Sequence, residues 1–307
     1  MGFPLLNVQP ERARSLSIVL VGLATLLVFG PSLKAALHLG FGDDRYLAVA
    51  VAPLACVLLL VWERADVFSR AAYSPRIGAP LAGVSILAGV AVVATGSAGE
   101  HAWLAMLALV LLWLSGFLWC CGLNSFRAGL YPLCCLFLMV PLPSSWMDGA
   151  SRFLQHRSAV AAYGILHGVG MPVVRHGMMF SMPGLDFEVA PECSGLHSSL
   201  ALILIAIVAS YVFLRSGWSR AALMLLMVPL AVFKNALRIA AIGGLGARVD
   251  RAFIDGPFHH RYGGLVFSVP AVVLFVLILM GIQKLERWNR DGAGGRYRGS
   301  FSRTRHA

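Results

Sequence analysis

Apolar runs broken by short polar stretches set the organisation of the chain. The first run covers Ser17 to Leu37, behind Arg12 and Arg14. Asp43, Asp44 and Arg45 interrupt it, and further runs follow at Tyr46 to Trp62, Ala79 to Thr95, Ala102 to Cys121 and Leu130 to Val140. The last of these stops at Pro141-Leu142-Pro143. After residue 195 come three more, at Leu196 to Leu214, Ala221 to Leu245 and Gly263 to Ile282. Each reads as a membrane-spanning helix, so the pattern predicts about eight spans. Ser151 to Gly168 differs, because Arg152, His156 and Arg157 crowd its first half. It predicts an interfacial helix capped by Ser151. Strand alternation occurs at one place: Leu185, Phe187 and Val189 alternate with Asp186, Glu188 and Ala190. With Val173 to Met182 ahead of it and Pro183-Gly184 as the turn, it predicts a small β-hairpin just outside the bilayer.

The expected fold is therefore an all-α polytopic membrane protein with about eight transmembrane helices, one interfacial helix and a small extracytoplasmic β-hairpin. Residues 1–283 form one integral-membrane domain, with a core region at 173–283. Residues 284–307 form a basic tail whose Gly- and Arg-rich composition predicts disorder. Composition agrees with the membrane class. Of 307 residues, 58% are hydrophobic and 13% charged, against about 25% charged in soluble domains. The mean hydropathy is +0.77. The first run is long for the apolar part of a signal peptide, so an uncleaved helix is expected in preference to cleavage near Lys34-Ala35-Ala36.

A net charge of +11 raises nucleic acid as a partner. The basic residues sit in short loops and in the tail, so they read as topology signals toward anionic lipid, and no nucleic-acid partner is expected. The N-terminus, the Arg64–Arg76 loop, the Arg215–Arg220 loop and the tail form the basic, cytoplasmic side. Eight spans return both termini to it. The loop carrying Arg248, Arg251 and Arg261 falls on the outer side against this rule.

Six cysteines occur. Five lie inside apolar runs, four of them as two adjacent pairs, and none has metal-ligand spacing. Cys193 stands apart, where a polar segment becomes a helix, and a helix N-terminus favours the thiolate. Arg238 lies about 26 Å along its span from Ala221, near the outer edge of a ~30 Å core. An Arg inside a span costs about 2.5–3.5 kcal/mol on insertion scales. It is either a snorkelling residue or a functional one. Lys234 is one turn deeper on the same face, and Asn235 stands three residues before Arg238. His259 and His260 precede the last span on the same side. Together these groups suit acyl transfer: a Cys193 thiolate attacks a carbonyl, Arg238 holds the oxyanion, and a histidine carries protons.

Cys193-Ser194-Gly195-Leu196, Asn235-x-x-Arg238-Ile239 and His-x-x-x-Gly…Phe together resemble the exosortase/archaeosortase family of membrane-embedded cysteine transpeptidases. The resemblance covers Gly177 to Ile282, and the first five spans match only in hydropathy. It implies a Cys-Arg-His triad of Cys193, Arg238 and His259, with Asn235, Ser194 and Gly195 in support and neither cofactor nor metal. His259 has Gly263 and Phe267 at the family spacing. His260 has Gly264 but no aromatic at the matching place, and is the alternative. His197 stands where the family often has arginine. The implied partners are membrane lipid and exported proteins with a C-terminal sorting signal: a Pro-Glu-Pro-like motif, a membrane helix and a basic cluster. The implied location is a bacterial or archaeal cytoplasmic membrane, with the active site on the extracytoplasmic face. The rival expectations are a transporter subunit and a noncatalytic scaffold.

Overall fold

The computed structural model describes residues 8–43, 46–69, 71–95, 102–190, 195–250 and 263–301. Helices dominate, because a chain in a bilayer must satisfy its backbone hydrogen bonds within each segment. The chain forms two compact units, residues 1–147 and 148–307. The first holds α1 (Val8–Gly42), α2 (Leu47–Trp62), α3 (Arg64–Phe68), α4 (Pro75–Ala94), α5 (Ala102–Ala128) and α6 (Leu130–Cys134), followed by a 3-10 turn at Cys135–Met139. α5 breaks at Gly122, where φ is 78°, next to the expected limit at Cys121. At the break a neighbouring segment pairs with it: Ala72 N donates to Cys121 O and Ser74 N to Trp119 O, both at 2.9 Å. Trp113 Nε1 donates to Thr25 Oγ1 at 3.0 Å and Trp119 Nε1 to the Tyr73 hydroxyl at 3.1 Å. Such interhelical bonds add to the van der Waals packing that holds membrane helices together.

Among the described residues six helices are long and apolar enough to cross a bilayer: Glu11–Gly42, Pro75–Ala94, Trp103–Ala128, Leu196–Phe213, Gly217–Arg248 and Val266–Arg290. α2 is apolar but has 16 residues, short of the ~20 that a bilayer core requires. The expected fifth span is a five-residue helix with a 3-10 turn. It contributes a seventh crossing if it and Ser144–Gly168 count as one broken span. The described residues thus carry six or seven candidate spans.

The second unit contains most of α7 (Ser144–Gly168), then β1 (Val174–His176), β2 (Met179–Met182), β3 (Leu185–Glu188), α8 (Leu196–Phe213), α9 (Gly217–Arg248) and α10 (Gly263–Phe301). Two expectations need correction here. α7 starts at Ser144 and not at Ser151. Trp146 N and Met147 N both donate to Pro143 O, at 3.0 and 3.1 Å, and a proline suits a helix start because it has no N–H to leave unsatisfied. Ser151 is thus inside the helix. The expected hairpin is a three-stranded antiparallel sheet, ordered β1-β2-β3. The stretch from Val173 to Met182 folds back on itself at Gly177. Gly177 and Gly184, with φ of 64° and 81°, serve the two turns.

One face of α7 packs onto the sheet and α9. Ala159, Ala162 and Leu166 join Phe180, Met182, Leu185, Ala236 and Ile239 in one apolar cluster. The charged face with Arg152, His156 and Arg157 stays exposed. Phe180 and Phe187 stack with ring centroids 5.2 Å apart, in register across β2 and β3. A second cluster joins α8, α9 and α10 through Leu202, Ala206, Leu223, Met227, Phe275 and Leu279.

Candidate active site

The site is built on the first turn of α8. Gly195 stands at its N-cap in the left-handed region, with φ 70° and ψ 12°. Its carbonyl gathers three donors: Ser199 N at 3.0 Å, Ser199 Oγ at 2.7 Å and Ser198 Oγ at 3.1 Å. That fixes the plane of the peptide that leads into the helix.

α9 supplies the facing groups. α8 and α9 run antiparallel through the link 214–216, so Gly195 is level with Asn235. The Asn235 side chain, 1% exposed, lies so close that a Cβ at Gly195 would stand 2.8 Å from its Cγ and Oδ1. Two conditions therefore select glycine at 195, the positive φ and the approach of Asn235. The contact joins two of the three motifs, bringing together a residue of Cys-Ser-Gly-Leu and one of Asn-x-x-Arg.

Lys234, 6% exposed, donates from Nζ to Ser198 Oγ. Ser198 in turn donates to the Gly195 carbonyl, which makes a chain from ammonium to hydroxyl to peptide oxygen. The hydroxyl proton points away from Lys234, so the lysine holds the serine and does not activate it as a nucleophile. Ser198 belongs to none of the three motifs; the first serine after Gly195-Leu196-His197 and the lysine beside Asn235 are the signals the sequence offers.

Arg238 is half-buried and one turn beyond Lys234 on the same face of α9. It rises roughly 4.5 Å past the level of Asn235 at 1.5 Å per residue. That carries it beyond Gly195, toward the end of the bundle where α8 begins. α10 begins at that end too. Glu286 contacts the 214–216 link at the opposite end, and Gly263 lies about 35 Å back along α10 from there. The equivalent climb along α8 from Leu214 to Gly195 is roughly 28 Å.

The structure thus brings together Gly195 and Asn235, with Arg238 one turn on. Cys193, Ser194, His259 and His260 lie outside the described residues. Among the described residues no group of three or more His, Cys, Asp or Glu stands together as a metal site. Behind the site, buried Gln155 of α7 donates Nε2 to Val189 O at 2.6 Å, tying the strand that leads toward residue 195 to α7. Phe187 of β3 packs over Gly243 of α9. β3 and Val189 are therefore anchored to two helices.

A family model described as transmembrane exosortase matches residues 42–276. The match reaches far ahead of Gly177, so the likeness is not confined to the three motifs. No curated protein matches the chain, and no solved structure matches it.

Proposed function

The chain belongs to the transmembrane exosortase family, and we propose that it cleaves the C-terminal sorting signals of exported proteins through a thioester on Cys193. The reading assigns Cys193 as nucleophile, Arg238 as the fixed positive charge and His259 as the proton carrier, with His260 the alternative. The observation that carries it is the seating of Asn235 against Gly195, two residues from Cys193. Chain connectivity keeps the Cα atoms of Cys193 and Gly195 within about 7.6 Å. Arg238, one turn past Asn235, is then a suitable partner for a thiolate there.

In this scheme the Cys193 sulfur attacks the scissile carbonyl carbon. The carbonyl electron pair moves to oxygen, and the oxyanion faces the Arg238 guanidinium. As the C–N bond breaks, the protonated histidine gives its proton to the leaving amine, and a thioester remains. An acceptor nucleophile then loses its proton to the same histidine and attacks the thioester, and the thiolate leaves. Ser194, Gly195 and Asn235 position the turn.

The topology proposed with this chemistry has eight crossings, counting α2 and Leu130–Met139, and both termini on the cytoplasmic side. Residues 1–283 are the membrane domain and 284–307 a basic cytoplasmic segment, in which α10 continues to Phe301 where the composition predicts disorder. The basic loops favour that orientation, and it puts the start of α8 on the extracytoplasmic face. The substrates are exported proteins ending in a Pro-Glu-Pro-like motif, a membrane helix and a basic cluster.

The test is Cys193→Ala, and Cys193→Ser beside it, in cells that express such a substrate. Both variants should accumulate to the normal level in the membrane and leave the signal uncut. Processing at the wild-type rate by the Ala variant would overturn the enzyme reading and leave a noncatalytic membrane scaffold.

A further inference from the structure

At the end of the bundle opposite Gly195 a cavity of about 650 Å³ opens between the end of α8, the 214–216 link and α10. Its size is that of a small-molecule site. Arg215, Arg287 and Arg290 line it beside Glu286, and Val212 and Phe213 form its apolar wall. The carboxylate offsets only one of the three arginines, and its oxygens are turned to the backbone. Glu286 Oε1 accepts from Ser216 N at 2.7 Å and from Arg215 N at 3.2 Å. Among the described residues no hydrogen bond or ion pair engages the three guanidiniums. The frame is also held in place. Arg220 donates to Leu214 O from Nε and Nη2 at 3.1 and 2.9 Å, and Gln283 Nε2 donates to Phe213 O at 3.3 Å. Three cations therefore line one cavity against a single carboxylate, and the surplus of positive charge favours an anionic ligand.

A separate feature gives the depth of the cavity. Trp218 in the first turn of α9 is 87% exposed and Trp288 of α10 is 72% exposed. Exposed tryptophans at the ends of membrane helices sit at the level of lipid headgroups. Guanidiniums bind phosphate oxygens in pairs, and the exposed side chains of Val212 and Phe213 lead from the cavity onto the apolar surface of the span. We propose that this cavity is a binding site for one anionic glycerophospholipid. Its phosphodiester is held by Arg215, Arg287 and Arg290, and its acyl chains lie along Val212 and Phe213. Basic pockets between membrane helices suit such headgroups.

The full chain purified in mild detergent tests this by native mass spectrometry, with phosphatidylglycerol, phosphatidylcholine and inorganic phosphate as probes. Phosphatidylglycerol should be retained and phosphatidylcholine should not, and millimolar inorganic phosphate should not displace the lipid. Arg287→Gln/Arg290→Gln should weaken phosphatidylglycerol retention about 30-fold. Arg64→Gln/Arg76→Gln removes the same charge elsewhere and should leave retention unchanged. Equal retention of the two lipids by the wild-type chain overturns the proposal, and that comparison decides even if the cavity variant does not fold. Equal losses in the two double variants overturn it as well. Displacement by phosphate alone would mean a site for free anions and no lipid site.

Discussion

Gly195→Ala tests the contact on which the site rests, and two separable costs set its magnitude. The first is conformational: a residue with a Cβ at φ 70° loses about 1–2 kcal/mol in the left-handed region. The second is steric. The new methyl carbon would stand 2.8 Å from Asn235 Cγ and Oδ1 and 3.2 Å from its Cβ. Asn235 is buried on a helix and has little room to withdraw, so overpacking adds about 1–3 kcal/mol. Gly170→Ala isolates the first cost, because Gly170 has φ 75° and nothing within 4 Å of its notional Cβ. Unfolding the purified chain in mixed micelles with increasing denaturing detergent should therefore separate the two variants by about 1–3 kcal/mol. Adding Asn235→Ala to Gly195→Ala removes the two nearest atoms and keeps the Cβ, so it should recover most of that gap but not the part shared with Gly170→Ala. A gap below about 0.5 kcal/mol, the scatter of independent sites, refutes the packing of Gly195 on Asn235. So does a double variant no better than Gly195→Ala.

Arg238→Lys should leave membrane insertion intact and reduce processing about 10²-fold, because an ammonium cannot donate to two atoms as a guanidinium does. The pH at which Cys193 is half alkylated should rise with it, and an unchanged pH profile with unchanged processing would return Arg238 to a snorkelling role. His259→Ala should lower processing by about 10²–10⁴-fold and His260→Ala by far less; the reverse order in a processing assay moves the proton carrier by one residue. Ser198→Ala should destabilise the chain by about 1–3 kcal/mol, since it takes the hydroxyl away from the buried Lys234 ammonium. Lys234→Met added to it should restore most of that in the same detergent titration, and additive losses would refute the Lys234–Ser198–Gly195 chain.

Period and hydropathy made the membrane class legible, because long apolar runs have few other uses. The break in α5 beside Cys121 and the strand at Leu185–Glu188 were readable for the same local reasons. The extra turn at Gly177 was not. A lone glycine in an extended pattern is equally compatible with a bulge, and the pairing of Val174 with Ser181 decides between them only in three dimensions. The start of α7 was misplaced because Ser151 has the right chemistry for a cap, while Pro143 and Ser144 compete with it seven residues earlier. At the site, Asn235 and Gly195 stood out as motif residues, but their contact depends on the axial register of α8 against α9. The Ser198–Lys234 bond depends on that register too. Interhelical register is set by packing along the whole length of two helices and has no signature in either alone.

The Glu286 carboxylate that closes the α8–α9 link is 70 residues downstream of Ser216. At about 5–20 residues per second, a ribosome takes roughly 4–14 s to make it after the amides it binds. Through that interval both helices exist, yet their shared turn lacks the carboxylate lock and is held by Arg220 on Leu214 O. A chain cut short before Glu286 keeps every group around Gly195 and never acquires that lock. The α8–α9 turn is in this way completed by a helix made after both, and truncation ahead of Glu286 leaves the Arg215 and Ser216 amides without their carboxylate.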